Sequence, residues 1–217
     1  MPATSPVTTS APTEPAWFES MYRSAAGQFA QLPWPTGSPC GAMVNWLNAV
    51  APAAVRCGAR VCVIGCGLGD DARELLRRGY EVTAFDCCST AVQEARQQDA
   101  ANASSYVQAD ILHPPARWRH RFDLVVEVNN LCWWTPDMRL AAISAAADLL
   151  AMHGRLLVIS PACEFSADAD EPPWPLTEVE LLEATALAGL VPAEPISVFS
   201  SDDSTSQLQL RGTFRRA

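Results

Sequence analysis

The stretch that decides the fold is "VIGCGLGDDARELLRRGYEVTAFD", residues 63–86. It begins as an apolar run, turns through three glycines, continues as an amphipathic helix and ends in a second apolar run closed by Asp86. A strand, a glycine-rich turn, a helix and a strand in this order are typical of a βαβ unit in a parallel sheet. Ligands of such sheets bind beyond the carboxyl ends of the strands. The stretch therefore predicts a ligand-binding turn at Gly65, Gly67 and Gly69.

The rest of the chain repeats this alternation of apolar runs and helical patterns. Strands are predicted at residues 59–65, 80–86, 104–110, 122–130, 155–160, 195–201 and 205–216. Helices are predicted at residues 17–30, 42–52, 70–79, 89–101, 136–154 and 177–190, the last with the capping-box pair Thr177 and Glu180. The last two strands follow each other without a helix, so at least one of them should run antiparallel. We predict an α/β fold with a doubly wound, mostly parallel seven-stranded sheet of the Rossmann-like kind and an antiparallel terminal strand.

The length of 217 residues is consistent with a single domain. Residues 1–15 are rich in Pro, Ser, Thr and Ala and are predicted to be a disordered lead, without the basic start and apolar block of a secretory signal. Residues 16–217 are predicted to form the domain, with residues 16–52 as an N-terminal helical lid. The sequence has no run of about 18 apolar residues, so no membrane span is predicted. We expect a cytoplasmic protein, monomeric by default.

Charge and cysteine content restrict the partners. The net charge is −9, from 24 acidic and 15 basic residues, and every basic residue is arginine. Without a cluster of cations, nucleic-acid binding is not expected, so a small-molecule partner is favoured. The eight cysteines and three histidines lack the paired spacing of a zinc site, and several cysteines lie in predicted strands. We expect reduced thiols and no metal.

Two ligands suit the glycine turn, a dinucleotide and S-adenosylmethionine. Asp86 ends the next strand, where an acid can accept hydrogen bonds from both ribose hydroxyls of either ligand. The dinucleotide motif places its third glycine three residues after the second, whereas here the spacing is G-x-G-x-G. Asp70 and Asp71 then open the helix, where they would repel a pyrophosphate but suit a sulfonium and an ammonium group. These residues favour S-adenosylmethionine.

The chain resembles class I S-adenosylmethionine-dependent methyltransferases from about residue 34 to the C-terminus. The motifs that carry the resemblance are "VCVIGCGLGDDA", "VTAFDCCSTAV", "YVQADIL", "FDLVVEVNNL" and "GRLLVIS". Within the class it looks most like the small-molecule thiopurine, thiol and halide methyltransferases, which also carry a Trp-Pro-Gly loop before the first strand, here "LPWPTGSP". The resemblance implies an S-adenosylmethionine-dependent enzyme that methylates a small molecule.

The resemblance also implies a cofactor site. Gly65, Gly67 and Gly69, with Cys66, would line the methionine part, Asp86 the ribose, and Cys87 the adenine. Asp110 and Ile111 would bind the adenine edge, Glu127 and Val128 would floor the pocket, and Trp34 would cover it. Most of the class has an acid two residues before the first glycine, where this chain has Val63. Asp70 or Glu127 is the predicted substitute for anchoring the amino group.

Acceptor residues are predicted in the loops at the same end of the sheet: Asn129, Trp133, Trp134, Trp174 and, again, Trp34. The segment "EVNNLCWW" lacks the two prolines of amine and nucleobase methyltransferases. This counts against methylation of nucleic-acid bases. The resemblance favours a thiol or another soft nucleophile, with an amine or hydroxyl as alternatives. No catalytic residue is assigned, because displacement from a sulfonium needs mainly alignment. Two other readings stay open: an NAD(P)-dependent oxidoreductase and a non-catalytic adenosyl-binding module, in which Trp133 or Trp134 would fill the pocket. A protein methyltransferase is a weaker one.

Overall fold

The computed structural model describes residues 14–25, 27–164, 172–202 and 205–217. Most of the predicted disordered lead, residues 1–13, lies outside the described residues. The helices are α1 (Pro15–Ala25), α2 (Gly41–Ala49), α3 (Ala51–Ala54), α4 (Asp70–Arg77), α5 (Ser89–Gln98), α6 (Pro136–Leu149) and α7 (Glu178–Leu187). The strands are β1 (Arg60–Ile64), β2 (Glu81–Asp86), β3 (Tyr106–Gln108), β4 (Phe122–Val128), β5 (Leu150–Pro161), β6 (Leu190–Pro192), β7 (Ser197–Asp202) and β8 (Thr205–Arg216).

The strands form one sheet in the order β3-β2-β1-β4-β5-β8-β6, with β7 paired to β8. The first five strands in this order are parallel, whereas β8 runs antiparallel to β5, β6 and β7. The strand order reverses between β1 and β4, so the switch point predicted to bind ligands lies there. The predicted fold class and the antiparallel terminal strand are confirmed.

The described sheet has eight strands instead of the predicted seven. The additional strand is β6, which is only three residues long and ends on Pro192. A run of this length is too short to show a strand period, and the helix predicted to extend to residue 190 ends at Leu187 instead. Gly189, with a φ of 73°, takes the left-handed conformation that separates the two elements.

The N-terminal region is more broken than the predicted helix over residues 17–30. Helix α1 ends at Ala25, Gly27 takes a φ of 86°, and a short 3₁₀ turn follows at Phe29–Gln31. Helix α7 begins as predicted, because Thr177 accepts a hydrogen bond from the Glu180 amide at 3.1 Å while its own amide donates to the Glu180 side chain at 2.8 Å. The capping box is confirmed.

The two faces of the sheet bury separate apolar clusters. One cluster packs α6 and α7 against side chains such as Val125 and Leu156. The other packs α2, α4 and α5 against side chains such as Val61 and Val126. Both faces are covered, which explains why β1 and β4 read as nearly continuous apolar runs in the sequence.

Candidate active site

A cavity of about 600 Å³ opens at the switch point between β1 and β4. Its walls come from the turn after β1, the ends of β2 and β4, helix α1, and residues 32–40, which we call the lid loop. This volume is within the range of roughly 300–1,000 Å³ that small-molecule and cofactor sites occupy. The glycine turn thus opens onto a space large enough for a ligand.

The first glycine of the turn makes room for an asparagine. Gly65 has a φ of 56°, and a Cβ atom there would lie 1.9 Å from Oδ1 of Asn130. The Asn130 side-chain amide donates to the carbonyl oxygens of Ile64 at 3.1 Å and Val128 at 3.0 Å. Asn130 therefore joins the ends of β1 and β4, and any side chain at position 65 would displace it.

Asp86 holds the turn that it faces. Its Oδ2 accepts a hydrogen bond from the Gly67 amide and its Oδ1 accepts one from the Cys88 amide, both at 2.9 Å. Burial raises the pKa of Asp86, although these two amides favour its charged form. An ionised carboxylate offers about four acceptor sites, so two remain for the hydroxyls of a ribose.

The predicted adenine end lies at the rim of the cavity. Cys87, Asp110 and Ile111 line it, with Ile111 almost fully buried. One oxygen of Asp110 accepts the Leu112 amide at 2.9 Å, and the other lies 2.9 Å from Nδ1 of His113. The Asp110 side chain stays 41% exposed. It is therefore held in place and still accessible to a ligand.

The acids that open α4 hold the lid loop. Asp70 accepts the Gly37 amide at 2.9 Å and also pairs with Arg73. Asp71 accepts the Cys40 amide at 2.7 Å. Both carboxylates line the cavity. From the sequence, these acids were predicted to attract the positive groups of the cofactor. The structure adds a second role, because both hold the loop that carries Trp34.

Asp71 is the cavity carboxyl with the clearest shift in proton affinity. Burial raises its pKa from 3.8 to about 6, the Cys40 amide opposes this shift, and the nearby charge of Asp70 adds to it. A group that titrates near neutral pH in a cleft is a candidate for proton transfer. Its hydrogen bond to the Cys40 amide gives it a purely structural role as the alternative to proton transfer.

Aromatic rings form one wall of the cavity. Trp34 of the lid loop meets Tyr22 at a centroid distance of 5.4 Å and Trp133 at 5.6 Å, the latter edge to face. Phe18 packs 6.0 Å from Trp34 and 5.9 Å from Trp133. Trp134 also lines the cavity. The predicted aromatic lid residues Trp34, Trp133 and Trp134 therefore lie together.

Asn129, directly after β4, lines the cavity with an unusual backbone. Its φ is 59°, in the left-handed region that asparagine tolerates better than most residues. Its amide donates to the Ile159 carbonyl at 2.8 Å. Its side-chain Oδ1 is buried and has no hydrogen-bond partner in the described part of the chain. A buried acceptor without a partner is costly, so a ligand donor would satisfy it.

Three predicted site residues, Gly69, Glu127 and Trp174, are placed away from the cavity lining. Gly69, with a φ of 85°, caps α4 and packs against Tyr106, whose ring carbon would lie 2.7 Å from a Cβ there. Glu127 points to the opposite face of the sheet from Val128, since side chains alternate along β4. The Trp174 carbonyl accepts from the buried Arg139 guanidinium at 2.7 Å, which fixes that segment beside α6.

The Glu127 carboxylate stabilises the turn after β4. Its Oε1 accepts the amides of Asn130 at 2.7 Å and Leu131 at 3.1 Å. Its Oε2 is buried without a partner among the described residues. Burial raises the pKa of Glu127 from 4.5 to about 7. It is therefore a poor candidate for holding the amino group of a cofactor, and Asp70 is the better-placed of the two predicted substitutes.

Several cavity residues were not predicted from the sequence. Phe18 and Tyr22 line it from one face of α1, and their spacing of four residues was a usable signal. Phe199 and Gln209 line it from the hairpin of β7 and β8. No local pattern indicates that this hairpin reaches the site, since its position depends on the antiparallel pairing of β8 with β5.

Comparison with known proteins agrees with this geometry. Residues 61–154, which include the glycine turn, Asp86, Asp110 and the turn after β4, match the family model of the methyltransferase domain. The matched segment is less than half of this chain, and over that segment the chain is similar to methyltransferase domains. The malonyl-[acyl-carrier protein] O-methyltransferase of Enterobacter lignolyticus (strain SCF1) is 46% identical over 67 residues, which are 31% of this chain and 26% of that protein. The match thus spans about a quarter of the relative's length.

Solved structures extend the likeness of the methyltransferase domain to nearly the whole chain. The 1,6-didemethyltoxoflavin-N1-methyltransferase of Burkholderia thailandensis, with bound 1,6-didemethyltoxoflavin and S-adenosylhomocysteine, is 20% identical with a TM-score of 0.73, over 100% of this chain and 94% of that one. The [4+2]-cyclase SpnF is 14% identical with a TM-score of 0.74, over 98% and 99% of the two chains. At these identities the likeness confirms the predicted methyltransferase fold, and the reaction has to be argued from the site.

The predicted enzyme class and cofactor agree with these comparisons. The closer likeness to thiopurine, thiol and halide methyltransferases stays a prediction, as do the domain boundaries, the monomeric state and the cytoplasmic location. Within the part of the chain that the structure describes, no helix combines the length and apolar character needed to cross a membrane.

Proposed function

We propose that the protein is an S-adenosylmethionine-dependent methyltransferase that transfers the methyl group to a small-molecule acceptor, with a thiol or other soft nucleophile preferred. The observation that carries this proposal is the cavity at the switch point, where the glycine turn and Asp86 face an aromatic wall. In such a transfer the acceptor atom would attack the methyl carbon in line while the bond from that carbon to the sulfonium breaks, and the electron pair would stay on the cofactor sulfur.

The residues present fit this cofactor. Gly65 and Gly67 let the turn pack closely against Asn130 and Tyr22 at the cavity wall, and Asp86 keeps acceptor sites for the ribose. The charged side chains of the described wall are carboxylates, which suit a ligand that carries a sulfonium and an ammonium. When bound, the cofactor supplies the methyl group and its own leaving group. The protein then has to hold the acceptor close and aligned.

The alternative of an NAD(P)-dependent oxidoreductase fits this cavity less well. A pyrophosphate bound at the glycine turn would lie at the start of α4, where Asp70 and Asp71 present carboxylates. The alternative of a non-catalytic adenosyl-binding module predicts that Trp133 or Trp134 fills the acceptor space. Instead both side chains line an open cavity, which favours a working acceptor site.

The lack of a positioned base supports the preference for a soft nucleophile. No histidine, lysine, arginine or glutamate lines the cavity among the described residues. Burial raises the pKa of Tyr22 and of Cys66 well above their usual ranges, so neither accepts a proton easily at neutral pH. Asp71 is already hydrogen-bonded to the lid loop. A thiol can lose its proton to solvent before it attacks, whereas an alcohol needs a base in the site.

Calorimetric titration tests the proposal. S-adenosylmethionine and S-adenosylhomocysteine should bind with micromolar dissociation constants, whereas NADH should not bind. Asp86→Ala should abolish adenosyl binding, and Asp148→Ala, which removes an exposed carboxylate on α6, should leave it unchanged. Thermal unfolding of both variants checks that the fold survives. Binding of NADH alone would overturn the proposed function.

A further inference from the structure

The charged side chains that line the cavity in the described part of the chain are all carboxylates, and one of them, Asp70, is paired with Arg73 outside the lining. Four carboxylates line the cavity, those of Asp70, Asp71, Asp86 and Asp110, and none of the arginines or histidines in the described residues does. Arg211 is on a strand that borders the site, but its guanidinium lies over the Phe199 ring at 5.7 Å and within 3.5 Å of the Ala42 carbonyl. A carboxylate or phosphate on the acceptor would therefore lose its water without gaining a positive partner.

The uncharged part of the wall favours flat apolar groups. The rings of Phe18, Tyr22, Trp34 and Trp133 form a continuous surface with centroid distances from 5.4 to 6.0 Å. Such rings bind another aromatic ring by offset or edge-to-face packing. Tyr22 adds no charge, because burial and the nearby Asp86 charge keep its hydroxyl protonated.

One polar group of this wall lacks a partner. Oδ1 of Asn129 is a buried acceptor at the end of β4, without a hydrogen bond among the described residues. The Asn130 side chain, in contrast, is used within the protein, because its Nδ2 donates to Ile64 and Val128. The site therefore lacks a hydrogen-bond donor specifically at Asn129.

From these observations together we infer that the methyl acceptor is an aromatic compound that carries an N–H or O–H donor and no charged group besides the reacting atom. Its ring lies against the wall formed by Trp34 and Trp133, its donor bonds Oδ1 of Asn129, and anionic relatives are rejected. This inference rests on the proposed function. It adds the charge and shape of the acceptor, and it gives Asn129, already predicted to bind the acceptor, a specific hydrogen bond.

The test uses two methylated thioethers that differ by one charge. 4-(Methylthio)benzamide and 4-(methylthio)benzoate have nearly the same shape, and both resemble products of transfer to an aromatic thiol. Each is titrated by calorimetry into the complex of the protein with S-adenosylhomocysteine. We expect the amide to bind at least ten times more tightly than the carboxylate. Equal or tighter binding of the carboxylate, or no binding of the amide at millimolar concentration, would overturn the inference.

Two variants test the role of Asn129. Glycine adopts a positive φ without strain, so Asn129→Gly removes the acceptor oxygen and preserves the turn. It should weaken amide binding about five-fold, the effect of one neutral hydrogen bond, and leave carboxylate binding unchanged. Asn129→Asp keeps an acceptor oxygen and adds a negative charge, so it should weaken carboxylate binding further.

Binding of S-adenosylhomocysteine to each protein separates the two levels of the proposal. If the wild-type protein does not bind it, the proposed function fails. If the wild-type protein binds it but Asn129→Gly loses ten-fold or more of that affinity, Asn129 serves the cofactor, and its assignment to the acceptor is wrong. If that affinity is retained and amide binding falls, the assignment holds.

Discussion

Replacing Glu127 with glutamine separates a carboxylate that binds the cofactor from one that holds a turn. The Oε1 atom accepts the amides of Asn130 and Leu131, and a glutamine oxygen can accept the same two bonds. Two titratable groups lie near it: Arg139 on α6, whose charge favours ionisation of Glu127, and the Cys132 thiol, which stays protonated and neutral because burial raises its pKa to about 12. The substitution therefore removes a charge and preserves the hydrogen bonds that order the turn.

The magnitude follows from the raised pKa. Glu127 has a pKa of about 7 in the folded protein and an ordinary value of 4.5 when unfolded. The folded state therefore retains a proton that the unfolded chain has lost between these values, and stability falls as the pH rises through this window. Linkage gives a loss of about 2 kcal/mol between pH 5.5 and 8.5, which glutamine cannot show. The orphaned Nε2 group of the glutamine adds a cost that does not vary with pH.

The assay is urea unfolding of the wild-type protein and of Glu127→Gln at several pH values from 5.5 to 8.5. The stability of the variant relative to wild type should rise by about 2 kcal/mol across this range. Its affinity for S-adenosylhomocysteine should stay within about two-fold, because the carboxylate is bound by the turn amides and is not part of the cavity lining. A difference that is constant with pH would refute the raised pKa, and a ten-fold loss of affinity would return Glu127 to the cofactor site.

Three further substitutions have defined expectations. Gly65→Ala should lower the free energy of unfolding in urea by more than about 3 kcal/mol, because the new Cβ overlaps Asn130 and the backbone is left-handed. The control Gly79→Ala has a φ of 84° and open space around it, so it should lower this free energy by only about 1–2 kcal/mol. Equal losses would exclude the overlap. Asp71→Asn keeps an acceptor for the lid loop, so the rate of methyl transfer at pH 8 should stay within about three-fold of wild type. Because burial raises the pKa of Asp71 to about 6, the variant should be more stable at pH 8 by up to about 3 kcal/mol. A hundred-fold loss of rate would identify Asp71 as a general base. Trp133→Ala should raise the KM for the acceptor about ten-fold and leave cofactor affinity nearly unchanged, because an aromatic contact of the acceptor wall is lost. An equal loss of affinity for the acceptor and for the cofactor would contradict a separate acceptor wall.

Most of the sheet could be predicted from the sequence because its strands are buried on both faces. The runs that became β1 and β4 are almost entirely apolar, and helices of clear period separate the parallel strands. The capping pair at Thr177 also marked the start of α7 correctly. The three-residue strand β6 was missed, since its pairing with β8 comes from tertiary contacts rather than from a pattern of its own.

The site was predictable where one motif fixes the geometry. Gly65, Gly67 and Asp86 are close in sequence and lie at adjacent strand ends, so their meeting follows from the βαβ unit alone. The directions of single side chains were harder to predict. Glu127 and Val128 were both expected on the pocket floor, but only Val128 lines the cavity, because the Glu127 carboxylate turns to the amides of Asn130 and Leu131. The role of Asp71 required knowledge of where the lid loop lies, which no local pattern gives.

The turn after β4 links the two halves of the site. Glu127 holds the amides of Asn130 and Leu131, and the Asn130 side chain holds the ends of β1 and β4 at the point where Gly65 leaves room for it. Asn129, between them, lines the cavity, and its buried side-chain oxygen has no partner among the described residues. A change at Gly65 should therefore disturb acceptor binding as well as cofactor binding, although no acceptor contact is assigned to it. Effects of paired substitutions at Gly65 and Asn129 should be non-additive, since both depend on the same few hydrogen bonds.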